Sequence, residues 1–251
     1  MASPYLGLVV RQFGRALPLL KSGEYPCPYL AGRTASVLVN YAGEPDATAY
    51  QQFMDSGFRR AGDMIYMPSC KSCAECVPIR VPVDEFEPSD SMRRALRKNE
   101  DVDVQIGEPA YSDERFELYR RYQAMQHDNV EDSTPENYER SFVQHLGFTE
   151  EMTYWTAGRL VGVGTIDITE RAVSSVYFFY DPQEARRSLG VFSVMCEIEL
   201  CRRRGLPYWY SGYFVADCRK MSYKARYQPA EFLHGDGQWR RFAPRSGGDA
   251  R

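Results

Sequence analysis

The stretch VSSVYFFYDPQEARRSLGVFSVMCEIELCRRR, Val173 to Arg204, decides the fold. Val173–Tyr180 reads as a strand. Asp181–Gly190 is a loop with two arginines and one glycine. From Leu189 the apolar residues Val191, Val194, Met195, Ile198 and Cys201 recur at helical spacing, which predicts a long helix over Leu189–Arg204. Working upstream, Arg159–Ile168 and Met152–Thr156 are two further strands joined by short turns. Before them come a helix over Thr134–His145, with Thr134 as cap and Pro135 at its first position, and a helix over Asp113–Gln126. The latter has Phe116, Leu118, Tyr119 and Tyr122 on its apolar side, and an alternating strand, Val102–Ile106, precedes it. Downstream lie a strand, Leu206–Tyr210, a helix, Asp217–Arg226, and a short apolar segment at Phe232.

Residues before Asn99 read differently. Residues 1–45 are rich in Pro and Gly, with loops around Cys27 and a strand over Thr34–Asn40. Ala47–Ala61 is helical in composition and Met64–Met67 is a strand. Val77–Val83 alternates, and is expected at a sheet edge because Pro78 and Pro82 cannot donate to a ladder. Ser89-Asp90-Ser91 caps a helix running to Asn99. Three parts follow: a loop-rich, Cys-containing domain at 1–99, a second domain at 100–243, and a disordered tail at 244–251.

The chain has 251 residues, 43% of them hydrophobic and 26% charged, which excludes a largely disordered chain. No apolar run approaches the roughly 20 residues of a membrane helix. The N-terminus, interrupted by Arg11 and Arg15, lacks the order of a signal peptide, so a cytoplasmic protein with no membrane partner is expected. The net charge of −3 argues against a bulk polyanion binder such as a DNA-coating protein, while leaving room for a local basic patch. Two such clusters stand out: Arg93, Arg94, Arg97 and Lys98 on one helix, and Arg186 with Arg187 before another.

Seven cysteines, an odd count, disfavour a disulfide framework. Cys70, Cys73 and Cys76 form C-x-x-C-x-x-C, a spacing that aims three thiolates at one soft metal centre. Cys27, in the rigid loop Tyr25-Pro26-Cys27-Pro28-Tyr29, is the natural fourth ligand. Structural zinc and an iron–sulfur cluster both suit that set, and spacing does not separate them. Cys196 and Cys201, on the long predicted helix, read as small core residues.

The order strand, helix, helix, three antiparallel strands, helix, strand, helix, strand is that of the α+β acyltransferase fold called GNAT-like. Fold order alone does not give function, but it locates a site where the strand before the long helix diverges from its neighbour. Here that is the end of Val173–Tyr180, the Asp181–Gly190 loop and the start of the helix, where basic residues and a helix N-terminus suit phosphate.

Several stretches resemble the arginyl-tRNA–protein transferase family. Tyr25-Pro26-Cys27-Pro28-Tyr29-Leu30, Gly32-Arg33-Thr34-Ala35-Ser36, Gly57-Phe58-Arg59-Arg60-Ala61-Gly62, the Cys cluster, Val77-Pro78-Ile79-Arg80-Val81 and Met92-Arg93-Arg94 resemble its N-terminal part. Ser175 through Pro182, Leu189-Gly190, Gly212-Tyr213 and Met221-Ser222-Tyr223-Lys224-Ala225 resemble its C-terminal part. The short length and Cys arrangement resemble the bacterial branch, whose members move leucine from leucyl-tRNA to proteins beginning with Asp or Glu, marking them for degradation. One departure is local: where the family has an Arg-His pair followed by Gly and Met, this chain has Gln126-His127 and then acidic residues.

The resemblance implies attack of an α-amine on an activated ester; as no Ser-His-Asp set or nucleophilic Cys is evident, direct attack without a covalent enzyme intermediate is expected, and no cofactor is expected in the chemistry. Asp167, a carboxylate in an apolar strand, is the expected base. Tyr177 and Tyr180 are expected to orient the amine or stabilise the oxyanion, although their odd spacing puts them on opposite strand faces. Arg33, with Arg80 second, is expected to read the acidic side chain of the acceptor. Tyr223 and Lys224 are expected to approach the donor, with Lys224 contacting the tRNA end. Arg93, Arg94, Arg97, Lys98, Arg186 and Arg187 would carry the acceptor stem. An arginyl transferase with the same acceptors, an acetyltransferase and a non-enzymatic adaptor for acidic N-termini are the alternatives. The single glycine of Ala185-Arg186-Arg187-Ser188-Leu189-Gly190 weighs against the acetyltransferase.

Overall fold

Alternating apolar residues in fourteen short segments build three sheets in the computed structural model, which describes residues 19–40, 45–126, 133–144 and 146–241. The expected tail at 244–251, His127 and His145 lie outside the described residues.

The smallest sheet is a hairpin of β2 (Tyr25–Pro26) and β3 (Thr34–Ala35), which carries Cys27 at its turn. A four-stranded sheet has the order β1 (Leu19–Lys21), β4 (Val37–Asn40), β6 (Met64–Pro68) and β5 (Arg59–Ala61). Helix α1 (Ala47–Asp55), capped by Asp46, packs Tyr50, Phe53 and Met54 onto it. The predicted helix to Ala61 stops at Asp55, because Gly57 takes φ +93°, and the chain re-enters as β5.

The large sheet has eight strands. In sheet order they are β14 (Trp239–Arg241), β13 (Glu231–Leu233), β7 (Val77–Pro82), β12 (Tyr208–Phe214), β11 (Ala172–Tyr180), β10 (Arg159–Ile168), β9 (Thr149–Thr156) and β8 (Asp103–Gly107). One face is covered by α2 (Asp90–Lys98) and α5 (Leu189–Arg204), packed on Val81, Ile166, Val173 and Trp209. The other is covered by α3 (Asp113–Gln126), the short α4 (Pro135–Tyr138) and the π turn that follows it, with Leu118, Tyr138 and Phe142 on Val163 and Phe179. Each fully buried aliphatic or aromatic side chain here contributes about 1.5–3 kcal/mol relative to exposure. The arrangement is the expected α+β, GNAT-like one.

Three expectations are corrected. Val77–Pro82 is an inner strand rather than an edge. Val83 donates its N–H to Pro207 across the β12 side (2.9 Å), and successive N–H groups alternate sides. Pro78 and Pro82 therefore turn toward β13, whose pairing with β7 is limited to Ile79 and Arg80. Because β7 joins the large sheet and α2 packs on α5, residues 77–98 belong structurally with the second half of the chain, not with a separate 1–99 unit. The predicted Asp217–Arg226 helix is a short α6 (Arg219–Ser222) running into a 3-10 turn, Tyr223–Arg226.

Candidate functional site

The parallel pair β11–β12 is bonded only from Ala172–Ser174 to Tyr208–Tyr210. Beyond that the strands part. Ser211 is the extra residue of a bulge against β7, and Gly212 follows with φ +98°, a conformation that favours glycine. On the other side β11 continues against β10 to Tyr180. The wedge between them is a cavity of about 580 Å³. Its walls come from β11 (Ser175 to Phe178, Tyr180), the first turns of α5 (Gly190, Ser193, Glu197), Gly212–Tyr213, and Lys220 to Lys224. The N-terminal half closes it with Pro28, Tyr29, Arg59, Arg60 and Tyr66.

Glu197 projects into this wedge from α5 and is 1% exposed. Trp209 Nε1 donates to its Oε2 at 2.7 Å, and Ser193 and Ser175 donate to Oε1 at 3.2 and 3.3 Å. Burial raises its pKa from 4.5 to about 7 in spite of those three donors. The carboxylate is thus held in one orientation while remaining able to take a proton near neutrality.

Arg59 and Lys224 meet at Gly212, which also lines the cavity. Arg59, 4% exposed, donates to the carbonyls of Gly212 (3.2 Å), Phe58 (3.3 Å) and Ile79 (3.4 Å), while its buried Nε has no partner among the described residues. Lys224 Nζ donates to the Tyr213 carbonyl at 3.0 Å. Burial first, and the nearby Arg59 second, lower the Lys224 pKa to about 7. Neither cation is ion-paired among the described residues.

The structure separates several expected residues from the cavity. Asp167 is fully buried and held by Arg60 through both oxygens, Nε to Oδ2 at 2.8 Å and Nη2 to Oδ1 at 2.7 Å, with Thr149 donating to Oδ1 at 2.7 Å. It does not line the cavity, so the expectation of a free base there is corrected. Arg80 is also engaged, by Glu231 (2.9 Å), Asp55 (3.4 Å) and the Tyr210 hydroxyl (3.1 Å), with its guanidinium over the Tyr208 ring. Arg33 is exposed and donates to Cys73 Sγ at 3.4 Å. Neither arginine borders the cavity; Arg33 lines the cysteine pocket instead.

Tyr177 and Tyr180 do face opposite sides of β11: Tyr177 packs with Phe142 and bonds Gln123 (3.3 Å), and Tyr180 packs with Phe178 and Tyr122. Both nevertheless border the cavity, because it opens along the unpaired edge of the strand. Tyr223 and Lys224 also line it, Lys224 as a buried residue and not as a surface lysine.

Two sequence-distant basic clusters are brought together. Lys98 Nζ donates to the Arg186 carbonyl (2.9 Å), and Arg187 donates to the Lys98 carbonyl (3.0 Å) and bidentately to Asp101. Arg93, Arg94, Arg97, Lys98 and Arg186 are exposed, and the patch abuts the start of α5, where Gly190 enters the cavity wall.

Cys27, Cys70, Cys73 and Cys76 line one pocket of about 230 Å³ with Arg33. Burial, then the charges of Cys70, Cys27 and Cys73, push the Cys76 thiol up to about 12. The donor set suits zinc or an iron–sulfur cluster by its chemistry and shared pocket, although no three His, Cys, Asp or Glu among the described residues are drawn into a ligand constellation. Pro28, Tyr29 and Tyr66 line this pocket and the cavity alike, so holding the Cys27 hairpin also holds a cavity wall.

Sequence reasoning missed Glu197, Arg59 and Arg60. The signals existed: a carboxylate between Val194 and Cys201 on the apolar side of a helix, and two adjacent arginines where the chain is otherwise buried.

The profile of the arginine-tRNA-protein transferase N terminus matches residues 25–94, and that of its C terminus matches residues 114–234. Relatives named aspartate/glutamate leucyltransferase include one from Stenotrophomonas maltophilia, 38% identical over 228 residues (87% of this chain, 91% of the relative). Another, from Saccharophagus degradans, is 38% identical over 230 residues (90% and 97%). Among solved structures, a tandem GNAT protein from the clavulanic acid biosynthesis pathway overlays with a TM-score of 0.42 at 11% identity, covering 87% of this chain and 62% of that one. So distant an overlay adds nothing to the fold, which stands on the strand order and the β11–β12 divergence. Spanning both halves and joined across one cavity, these matches show that the chain belongs to the arginine-tRNA-protein transferase family.

Proposed function

We propose that the protein transfers leucine from leucyl-tRNA to the α-amine of proteins and peptides beginning with Asp or Glu, in the cytoplasm. The observation that carries this reading is the cavity between β11 and β12, walled by both family-matching halves, with a buried carboxylate on α5 and the basic patch beside it. The ester of an aminoacyl-tRNA is already activated, so positioning and deprotonation supply much of the acceleration. The acceptor amine, with a solution pKa of about 7.7–8.0 and so partly neutral, attacks the ester carbonyl as RNH2, and Glu197 takes the one N–H proton that the nitrogen loses on acylation. The new C–N bond forms, the C–O bond to the ribose breaks, and the proton passes to the departing hydroxyl. Tyr180 is the proposed donor to the oxyanion, while the Tyr177 hydroxyl is engaged by Gln123. Arg93, Arg94, Arg97, Lys98 and Arg186 would contact the acceptor stem through phosphates. Cys27, Cys70, Cys73 and Cys76 would hold a structural metal whose contribution is to stiffen the Cys27 hairpin.

The test is a transfer assay pairing peptides that begin with Asp, Glu or Ala with labelled leucyl-tRNA or arginyl-tRNA. Leucine on Asp and Glu peptides only is the expected result. Arginine transfer would overturn the donor, and no transfer in a folded, metal-replete sample would overturn the enzyme reading.

A further inference from the structure

Arg59 and Lys224 are two buried basic side chains without a carboxylate partner among the described residues, and both line one cavity. Buried charge of this kind is costly when unpaired. Elsewhere the protein neutralises its buried arginines: Arg60 has Asp167, and Arg80 has Asp55 and Glu231. The exception is therefore local and coincides with the cavity. Its centre is Gly212. A Cβ there would lie 3.1 Å from Lys224 Nζ and 4.0 Å from Arg59 Nε, so both cationic groups converge on a backbone that presents no side chain. Arg59 Nε and the adjacent Ser211 Oγ are two of the five buried side-chain polar atoms with no hydrogen-bond partner among the described residues, and both residues line the cavity.

We propose that Arg59 and Lys224, converging at Gly212 with Ser211 beside them, receive the side-chain carboxylate of the acceptor's first residue and so impose the requirement for Asp or Glu. This rests on the proposed transfer to acidic N-termini. An incoming carboxylate supplies the counter-charge that Arg59 lacks, favours the protonated form of Lys224 and gives Arg59 Nε its acceptor. An amide or methyl side chain fills the same space but leaves the cations unpaired, which is the stronger part of the discrimination. Glu197 lines the same cavity from α5, so the acceptor's side-chain carboxylate and its amine would both be received there.

A tRNA phosphate offers the same oxyanion chemistry, and the experiment separates the two. Transfer of leucine to matched peptides beginning with Asp or Asn is measured at saturating leucyl-tRNA for wild type, Arg59→Gln and Lys224→Met, with tRNA affinity measured independently. Lys224 makes one backbone contact and Arg59 makes three, so Lys224→Met keeps the test decisive should Arg59→Gln fail to fold. The Asp-to-Asn ratio of kcat/KM is expected to fall on the order of 10- to 100-fold in each folded variant, with tRNA affinity unchanged. A preserved ratio overturns the proposal. A preserved ratio with weakened tRNA binding overturns it in favour of a phosphate. Wild-type protein that charges neither peptide refutes the proposed function itself.

Discussion

Glu197→Gln is the substitution whose consequence can be worked furthest from the structure. The folded protein raises this carboxyl from 4.5 to about 7 because burial disfavours the ion, while Trp209, Ser175 and Ser193 only partly offset that. Between those two values the folded state holds a proton that the unfolded state has released. Stability therefore falls as pH rises through this window, is unaffected by the group below 4.5, and bears the full penalty above about 7. Integrating a raised pKa of this size, the penalty changes by roughly 2–3 kcal/mol between about pH 5 and pH 8. The substituted amide can still accept from Trp209 Nε1 and cannot ionise. Relative to wild type, the variant should thus gain about 2–3 kcal/mol of unfolding free energy across that interval, read by urea denaturation in matched buffers. A wild-type-minus-variant difference that stays flat within extrapolation error would refute the reasoning. The same variant should lower kcat/KM for leucine transfer and keep only the inflection of the substrate amine, at about 7.7–8.0. An unaltered pH–rate profile removes Glu197 as the base.

Other consequences can be checked alongside. Asp167→Asn strands a buried guanidinium, with side chains 1% and 0% exposed, and should cost about 3–5 kcal/mol by denaturation, whereas an apolar replacement of both partners should cost far less. Arg94→Ser with Arg97→Ser should weaken leucyl-tRNA binding and flatten its salt dependence by roughly 0.7–0.9 log units per lost phosphate contact; an unchanged slope would remove α2 from the tRNA interface. Protein purified without chelators should carry zinc or an iron–sulfur cluster that is lost in Cys27→Ser, and a metal-free wild type that is folded and active would dismiss the metal.

Much of the catalytic half was legible because its signals are local. The helix Leu189–Arg204 matches its observed limits, since apolar spacing fixes both its existence and its buried side. Cys27, remote in sequence, lines one pocket with Cys70, Cys73 and Cys76. Local signals also misled. Pro78 and Pro82 marked β7 as an edge strand, and only the pairing of β13, limited to Ile79 and Arg80, shows how an inner strand accommodates them. Asp167 in an apolar strand suited a base and the partner of a buried arginine 107 residues away equally well.

Sequence by itself determined the elements, their order, the family and the chemical types available at the site, because periodicity, capping and motif spacing act over a few residues. Tertiary structure alone decided which charges remain unspent. Arg33, Arg59, Arg60 and Arg80 are alike as letters. One is exposed beside a thiol, two are neutralised by carboxylates from distant strands, and one is buried with no counter-ion among the described residues, facing the cavity. Ion pairing depends on a partner within a few ångströms and on exclusion from water. Both are properties of how β5, β7, β10 and β12 come together, and no pattern along the chain encodes them singly.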